Sequence, residues 1–283
     1  MLTDVTPYLA CPVCGEALEL SCNTLSCASR HSFDVARQGY VNLLPGRARP
    51  HTADTADMIE ARAAFLDSGR YSPIAEAVSA AAVSAVGVAG AADAQRVAGA
   101  AEDACIVDAG AGTGYYLARV LDALPGRMGL ALDISATAAK RAARAHERIG
   151  SIVCDTWKRL PIRDGAAAVV LDIFSPRNAD EFARVLAPGG SLIVVTPAGQ
   201  HLKELVGVLG LVSVDERKDD RLDEALGAAF ELAEQVPVEF VMPLSHAEVA
   251  TLVAMGPSSR HVSPEQLAGR LAALPEQIGR AHV

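Results

Sequence analysis

The sequence predicts an α/β protein in which helices cover a parallel sheet, with a small cysteine-rich module in front of it. Segments typical of strands and of helices alternate from residue 104 onward, which is the pattern of a parallel sheet with crossover helices. A glycine-rich loop follows the first of these strands, and four of the six cysteines fall in residues 1–45. We therefore expect one α/β domain and one accessory module in the 283-residue chain.

Composition divides the chain into three regions. We expect residues 1–45 to form the cysteine-rich module, residues 46–103 to form a linker and helices that lead into the core, and residues 104–283 to form the α/β domain. In the middle region, apolar residues recur at helical spacing after the linker, and residues 54–86 are predicted to form two helices. Residues 87–103, rich in alanine and glycine, are predicted to be irregular.

The α/β domain is predicted to contain five consecutive strands with helices between most of them. The predicted strands are 105–110, 128–133, 151–154, 166–174 and 191–196. The predicted helices among them are 113–124, 135–148 and 178–186, and Pro188-Gly189-Gly190 is expected to follow the last helix as a turn. More helices and one strand near 235–242 are predicted after residue 200.

Bulk composition indicates a protein with a sizeable core and no membrane segment. Hydrophobic residues make up 51% and charged residues 21% of the chain. No apolar run reaches the roughly 18–20 residues that a membrane span needs, and the N-terminus lacks a signal-peptide pattern. We therefore expect a cytoplasmic protein, whose six cysteines are metal ligands or buried thiols and not disulfides.

Charge is distributed unevenly along the chain. The net charge is −9, yet the segment 27–51 holds four arginines against one aspartate, a net +3, which leaves −12 for the rest. A basic patch on an acidic body is typical of an RNA contact confined to one end. An ordinary solvated stretch explains the arginines equally well, and Arg62 and Arg70 could extend the patch.

The loop after the first strand is the main candidate binding site. Its sequence is Asp108-Ala-Gly110-Ala-Gly112-Thr113-Gly114. Glycines allow a tight turn and a close approach to the backbone. A dinucleotide loop would have a small residue at the third position of G-x-G-x-x-G, where this chain has Tyr115. The G-x-G-x-G spacing instead resembles methyltransferases that use S-adenosylmethionine (SAM).

Two further carboxylates are candidates for the same SAM site. Asp133 closes the second strand, 19 residues after Gly114, where a carboxylate can accept hydrogen bonds from ribose hydroxyls. Asp155 follows the third strand, where methyltransferases of this type often hold the adenine. The sequence therefore predicts a Rossmann-like class I SAM methyltransferase domain. A nucleotide-binding fold with another ligand, and a purely structural loop, remain as alternatives.

The N-terminal module carries a candidate zinc site. Cys11-Pro-Val-Cys14 and Cys27-Ala-Ser-Arg-His31 form one C-x2-C and one C-x3-H pair, which can close a tetrahedral site and predict a zinc-ribbon-like module. Four protein ligands leave no open position, so catalysis by this zinc is not expected. Cys22 is a spare thiol that could replace Cys27, and four unrelated thiols remain the alternative interpretation.

The block after His31 carries a resemblance to a known family. Together with the cysteine pattern, it is similar to the RlmA family, the 23S ribosomal RNA guanine-N1 methyltransferases, and the resemblance spans nearly the whole chain. The residues that carry it are Phe33-Asp34, Arg37, 39–45, Asp57-Met58, Ala61-Arg62, 65–71, the glycine loop, Leu160-Pro161, 174–178, 188–190, Thr196-Pro197 and His201-Leu202. Residues 255–261 resemble the Gram-positive branch, which includes enzymes that give low-level resistance to tylosin-type macrolides.

The resemblance implies roles for individual residues. The family's zinc ligands fall on Cys11, Cys14, Cys27 and His31. Its SAM contacts fall on Tyr71, Gly112, Thr113 and His201. Without the resemblance, Tyr71 would be interpreted as a packing residue at a helix start, and His201 as a capping or core histidine.

The resemblance also implies a partner and an assembly. It implies 23S rRNA as the substrate and a homodimer as the oligomeric state. Relatives continue past the last helix into a strand that completes the sheet, whereas this chain stops at Val283. We therefore expect that final strand to be missing, short or removed.

Transfer to guanine N1 sets requirements that the sequence can address in part. N1 lies on the Watson–Crick edge, so the base must lie in a loop or be extruded and then held by stacking. Phe174 is the candidate stacking platform, although it could instead pack under the SAM methionine. N1 carries a proton at neutral pH, and Asp172 is the nearest candidate base, although an acid at a strand end is often structural. Trp157 could line the adenine pocket or stack on RNA.

Three functions compete. The first is an rRNA guanine-N1 methyltransferase. The second is a SAM methyltransferase for a small molecule, which the negative net charge favours slightly. The third is a zinc-ribbon binding module on a degenerate methyltransferase fold, which the complete glycine loop and Asp133 oppose.

Overall fold

The computed structural model divides the chain into two compact units. The first consists of Met1–Ala53 and Val78–Val194, and the second of Asp54–Ala77 and Val195–Val283. The structure describes residues 2–45, 53–92, 103–209, 222, 224–256, 259, 261–262, 264–272 and 278–282. The units follow boundaries other than those predicted at 45 and 103, because the last strand of the cysteine-rich module belongs to the central sheet.

The first unit opens with a small antiparallel sheet. Helix α1 (Leu2–Val5) and a 3-10 turn (Thr6–Tyr8) precede this sheet, which consists of strands β1 (Glu19–Ser21), β2 (Thr24–Ser26) and β3 (Ser32–Asp34). A two-residue turn joins β1 to β2, and both of its residues, Cys22 and Asn23, have positive φ, at 46° and 66°. Turns of this kind match the twist of a hairpin. Cys22 therefore occupies an exposed turn position.

The central sheet has six strands in the order β4-β7-β6-β5-β8-β9. They are β4 (Tyr40–Asn42), β5 (Cys105–Ala109), β6 (Gly129–Asp133), β7 (Ile149–Val153), β8 (Ala167–Ile173) and β9 (Leu186–Val195). The pairs β4–β7, β7–β6, β6–β5 and β5–β8 are all parallel. Every residue of β5, β7 and β8 is buried, as expected for strands covered on both faces. The predicted parallel sheet is confirmed.

The N-terminal module is built into this sheet. In the β4–β7 pair, Val41 lies opposite Ile152. Leu9 forms an isolated bridge with Ile162. Val5 packs directly over β7, where a Cβ added to Gly150 would come within 2.2 Å of its Cγ2. These contacts explain why the module and the sheet form one compact unit.

Besides α1, the helices of the first unit are α4 (Tyr115–Ala123), α5 (Ala136–Ala142), α6 (Ala179–Val185) and the second part of α3 (Ser72–Ala92). Helix α5 begins at a side-chain cap, in which Ser135 Oγ accepts the N–H of Ala138 at 3.4 Å. The prediction that this helix runs to residue 148 is wrong. The chain turns after Ala142, and the Arg148 guanidinium donates to the carbonyls of Leu121, Leu124 and Arg127, the first two of which lie at the end of α4.

The second unit contains helices and a hairpin. Its elements are α2 (Ala56–Asp67), the start of α3, α7 (Lys203–Leu209), β10 (Glu239–Leu244), α8 (His246–Ala254), α9 (Pro264–Leu271) and β11 (Ile278–His282). Thr55 caps α2, and Ser245 with Glu248 forms a capping box at the start of α8. Among the described residues, no helix is long and apolar enough to cross a membrane.

Two further predictions are corrected by the structure. Helix α3 continues to Ala92, through part of the segment predicted to be irregular, since alanine has the highest helix propensity. Strand β9 begins at Leu186, so Pro188-Gly189-Gly190 lies within a strand and not in a turn before it. The last described strand, β11, is five residues long and pairs antiparallel with β10 in a two-stranded sheet of its own.

Candidate functional site

The four predicted metal ligands come together. The ligand atoms of Cys11, Cys14, Cys27 and His31 all lie within 4.8 Å of one another. Sγ of Cys27 lies 3.4 Å from Nδ1 of His31 and 3.6 Å from Sγ of Cys14. A tetrahedron with Zn–S bonds of about 2.3 Å has edges of about 3.7 Å. The three thiolates and one imidazole therefore fit a zinc ion.

Two tight turns place these ligands. In the first, the N–H of Gly15, a residue with φ of 78°, donates to the Cys11 carbonyl at 2.8 Å. In the second, the N–H of Arg30 donates to the Cys27 carbonyl at 2.9 Å. Glu16 links the turns by accepting the N–H of Ser29 at 2.9 Å. Cys22 lies outside the cluster, so the alternative in which it replaces Cys27 is not observed.

The glycine loop is closed by Asp133 at the end of β6. Oδ2 of Asp133 accepts the N–H of Gly112 at 2.8 Å, and Oδ1 accepts the N–H of Ser135 at 2.8 Å. One carboxylate therefore joins the loop after β5 to the start of α5. Asp133 is partly exposed at the carboxyl end of its strand, which fits a role in binding ribose hydroxyls.

The glycines of the loop have different reasons to be glycine. Gly110, Gly112 and Gly114 all have positive φ, at 93°, 53° and 80°. A Cβ on Gly110 would lie 2.5 Å from Cβ of Ser175, and one on Gly114 would lie 3.0 Å from Cα of Ala142. Gly110 and Gly114 thus allow close packing within the protein as well as an open loop. Thr113 between them is buried.

Three carboxylates lie near the carboxyl ends of neighbouring strands: Asp108 in β5, Asp133 in β6 and Asp172 in β8. Asp108 is 2% exposed. Burial, followed by the charges of Asp133 and Asp172, raises the pKa of Asp108 to about 8. Asp108 is therefore largely protonated at neutral pH and can donate a hydrogen bond. Its role in binding SAM stays a prediction.

Asp172 is surrounded by groups of its own chain. It is 0% exposed, its Oδ1 forms a hydrogen bond with Ser175 Oγ, and its Oδ2 lies 3.5 Å from Nε of Arg177. Ser175 Oγ also contacts the carbonyl of Ala109 at the end of β5. This environment favours the structural role that the sequence left open. The role of general base stays a prediction.

Phe174 lies between Asp172 and Ser175 in an unusual conformation. Its φ is +53°, a left-handed value that costs a residue other than glycine about 1–2 kcal/mol. Its side chain is 40% exposed. Backbone strain of this kind is concentrated at functional sites, and an exposed aromatic ring at a strand end can stack on a base.

The segment after β7 carries the predicted adenine-binding carboxylate. The Asp155 side chain is partly exposed, and its Oδ1 accepts the N–H of Trp157 at 3.0 Å. Cys154 and Cys105, predicted to be core thiols, are both buried, and burial raises the pKa of the Cys105 thiol to about 12. These two thiols are therefore protonated and inert as nucleophiles.

Tyr71 and His201, which the resemblance implies as SAM contacts, adjoin each other in the second unit. Tyr71 Oη lies 3.3 Å from Nε2 of His201, although 130 residues separate them in the chain. Tyr71 also packs edge-on against Phe65, with ring centroids 5.1 Å apart, and its burial raises the pKa of its hydroxyl. The remaining candidate residues lie in the first unit.

Sequence reasoning missed several residues that shape the site. Ser175 and Arg177 bracket Asp172, and Asn178 holds the segment that follows Asp155. The motif Phe174-Ser175-Pro176-Arg177-Asn178 was a visible signal for all three. Arg62 and Arg70, expected to extend a basic patch, instead bind Asp54 at 2.6 Å and Glu248 at 2.8 Å.

Comparison with known proteins agrees with this geometry. Residues 9–49 match the family model for the RlmA N-terminal zinc ribbon, and residues 106–190 match a methyltransferase domain. The first match contains the Cys3His cluster and the second contains the glycine loop with Asp133. The cofactors are therefore zinc in the N-terminal module and SAM in the methyltransferase domain.

Relatives match nearly the whole chain. The 23S rRNA (guanine(748)-N(1))-methyltransferase of Streptomyces fradiae is 49% identical over 275 residues, which cover 97% of this chain and 94% of the relative. A Micromonospora griseorubida protein whose name gives the same class of reaction is 50% identical over 98% of this chain and 95% of its own. A relative from Bacillus subtilis (strain 168) is 32% identical over 69% of this chain and 66% of its own. The chain thus belongs to the RlmA family of 23S rRNA (guanine-N1)-methyltransferases.

Proposed function

We propose that this protein transfers the methyl group of SAM to N1 of a guanosine in 23S rRNA. The observation that carries the proposal is the combination, in one compact unit, of the Cys3His cluster and the glycine loop closed by Asp133. The relatives named for this reaction match both modules at 49–50% identity. The four metal ligands and the glycine loop with Asp133 are all present, which argues against a degenerate methyltransferase fold without catalytic activity.

The chain's own residues bind and orient the reactants. SAM supplies a methyl group on a sulfonium, so positioning accounts for much of the rate. Asp133 and the glycine loop hold the cofactor, and the loop is fixed in advance by the Gly112 hydrogen bond. Phe174 stacks on the target base, whose N1 must be unpaired to react. Asp172 forms an ion pair with Arg177 and a hydrogen bond with Ser175, and these two interactions fix the backbone on both sides of Phe174.

The zinc module supplies structure and charge and takes no part in the chemistry. Its four protein ligands leave no open coordination position. Arg30 and Arg37 are exposed on this module and are available to rRNA phosphates. Arg47 and Arg49, which belong to the same basic segment, lie outside the described residues.

The relatives also suggest finer features. The Streptomyces fradiae relative is named for guanosine 748, so that position is the first to examine. A cytoplasmic location is part of the proposal, because ribosomal RNA is the proposed substrate. A homodimer is part of the proposal, and sedimentation equilibrium of the purified protein, with a dimer mass expected, tests it independently of activity.

The test is methylation of unmodified 23S rRNA with radiolabelled SAM, mapped by primer extension, because an N1 methyl group blocks base pairing. We expect a single stop at a hairpin guanosine. Asp133→Ala should abolish the stop, and Asp122→Ala, at an exposed carboxylate, should retain it. SAM binding without label on naked RNA or on ribosomal particles would refute the proposal and favour a small-molecule substrate.

A further inference from the structure

Helix α6 and its N-cap residue, Asn178, hold the segment that follows β7. Nδ2 of Asn178 donates to the carbonyls of Thr156 at 2.9 Å and Lys158 at 3.1 Å. One side chain therefore holds the two backbone carbonyls that flank Trp157. At the start of the same segment, Oδ1 of Asp155 accepts the N–H of Trp157 and the Asp155 carbonyl accepts the N–H of Lys158.

Two more residues of α6 continue this attachment. Oε2 of Glu181 accepts the N–H of Leu160 at 2.7 Å. Arg184 donates to the carbonyls of Leu160 at 3.0 Å and Ile162 at 2.8 Å. Glu181 and Arg184 also pair with each other, and both side chains are 16% exposed. We name Asn178, Glu181 and Arg184 the α6 clamp.

The clamped segment presents an aromatic ring and two cations to solvent. Trp157 is 63% exposed, and Lys158 and Arg159 beside it are exposed as well. A tryptophan in this position forgoes most of the stabilisation that burial of its ring would give. Because the α6 clamp already holds this loop, binding of a partner to the exposed ring costs little conformational entropy. These properties are typical of a binding residue.

The position of the loop indicates what it binds. Strand β7 is parallel to β6 and β6 to β5, so their carboxyl ends share one edge of the sheet. The glycine loop, Asp133 and the clamped loop all follow these ends. Asn178 ties the clamped loop to the Phe174-Ser175 segment after β8. Trp157 therefore lies on the same edge as the cofactor loop and Phe174.

We propose that Trp157 stacks on an unpaired nucleobase beside the target guanosine, that Lys158 and Arg159 contact the flanking phosphates, and that Asn178 positions the loop. The inference rests on the proposed rRNA substrate. An aromatic platform combined with basic side chains is the chemistry that binds single-stranded RNA without reading its sequence. Phe174 and Trp157 would thus hold neighbouring bases.

Fluorescence provides a direct test because Trp157 is the only tryptophan of the chain. A hairpin RNA that the wild type methylates should quench the emission and protect it from iodide, whereas SAM alone should change it little. Trp157→Ala should raise KM for RNA about tenfold, within the range for loss of one stacked base. Trp157→Phe should raise it less, and the Kd for SAM should not change in either variant.

Further variants separate the phosphate contacts from the positioning role. Lys158→Ala should lower the slope of log affinity against log salt by about 0.7, the value for one single-strand phosphate contact. Asn178→Asp keeps the size of the side chain but cannot donate to the two carbonyls. It should shorten the anisotropy decay of Trp157 and raise KM for RNA with little change in kcat. Val83→Ala, at an exposed apolar position on α3, is the control.

The outcomes distinguish this inference from the proposed function. RNA methylation with unchanged fluorescence and an unchanged KM in Trp157→Ala overturns the inference alone. Quenching by SAM, with weaker SAM binding in Trp157→Ala, places Trp157 in the adenine pocket and also overturns it. Absence of both methylation and quenching in the wild type overturns the inference and the proposed function together.

Discussion

Asp133 accepts the backbone N–H of Gly112 at 2.8 Å, so a carboxylate at the end of one strand fixes the loop that follows the neighbouring strand. The same carboxylate accepts the N–H of Ser135 through its other oxygen. The geometry of the loop and of the start of α5 therefore depends on one side chain, which is also the carboxylate that we propose binds SAM.

Asp133→Ala should weaken SAM binding by at least tenfold and lower the free energy of unfolding by about 1–3 kcal/mol, because two backbone donors lose their acceptor. Calorimetric titration and urea unfolding measure the two effects. Asp67→Ala, at an exposed position at the end of α2, should change neither. Unchanged SAM affinity in Asp133→Ala would remove Asp133 from the cofactor site.

Replacement of Cys27 by Ser should reduce bound zinc from one ion per chain to none, since a tetrahedral site needs all four ligands. Atomic absorption measures the bound zinc. Removal of zinc from the wild type with a chelator should change the stability of the protein as Cys27→Ser does. Cys22→Asn is the matched control, because asparagine tolerates the left-handed turn at that position. Loss of zinc in Cys22→Asn but not in Cys27→Ser would contradict the ligand set.

Phe174 offers a comparison between two truncations. Both Phe174→Ala and Phe174→Gly remove the ring and should raise KM for RNA. Phe174→Gly should be about 1 kcal/mol more stable than Phe174→Ala, because only glycine adopts a φ of +53° without strain. Chemical denaturation of both variants gives the difference, and equal stabilities would show that the backbone at this position is not strained.

Asp108 should make the protein less stable as pH rises. Its pKa is raised from 3.8 to about 8, so between these values the folded state holds a proton that the unfolded state has released. Stability is therefore fully present below pH 4 and falls until about pH 8 as far as this group is concerned. Asp108→Asn should flatten the dependence of Tm on pH over this window, and Asp67→Asn, at an exposed position at the end of α2, should leave it as in the wild type.

Resistance to macrolides can be tested in the organism that carries the gene. The resemblance to the tylosin-resistance branch predicts that deletion of the gene lowers the inhibitory concentration of tylosin-type macrolides. Complementation with the wild-type gene should restore it, and complementation with the Asp133→Ala gene should not. Unchanged susceptibility in the deletion strain would count against this role.

Local patterns predicted the parts of the site that are close in sequence. The glycine loop, Asp133 and the two metal-ligand pairs were identified because each depends on short spacing or on position after a strand. The packing of Gly110 against Ser175 could not be predicted, because 65 residues separate them and only the β5–β8 pairing brings them together. Tyr71 and His201 were placed by resemblance, since no local pattern links residues so far apart.

Element boundaries were less predictable for a similar reason. Helix α5 was predicted to reach residue 148, yet it ends at Ala142, and Arg148 instead donates hydrogen bonds to carbonyls at the end of α4. Alanine propensity carried α3 beyond its predicted end. For α5 the sequence pattern did not reveal the tertiary hydrogen bonds of Arg148. For α3 the helix propensity of alanine outweighed the glycine-rich composition that had predicted an irregular segment.

Strand β4, the last element of the zinc module, is the edge strand of the six-stranded sheet and covers the fully buried strand β7. A protein shortened to begin after residue 45 would leave β7 as a flat apolar edge with open backbone hydrogen-bonding groups. Such edges recruit strands from other molecules and cause aggregation. By covering β7, the zinc module therefore also protects the methyltransferase sheet from self-association.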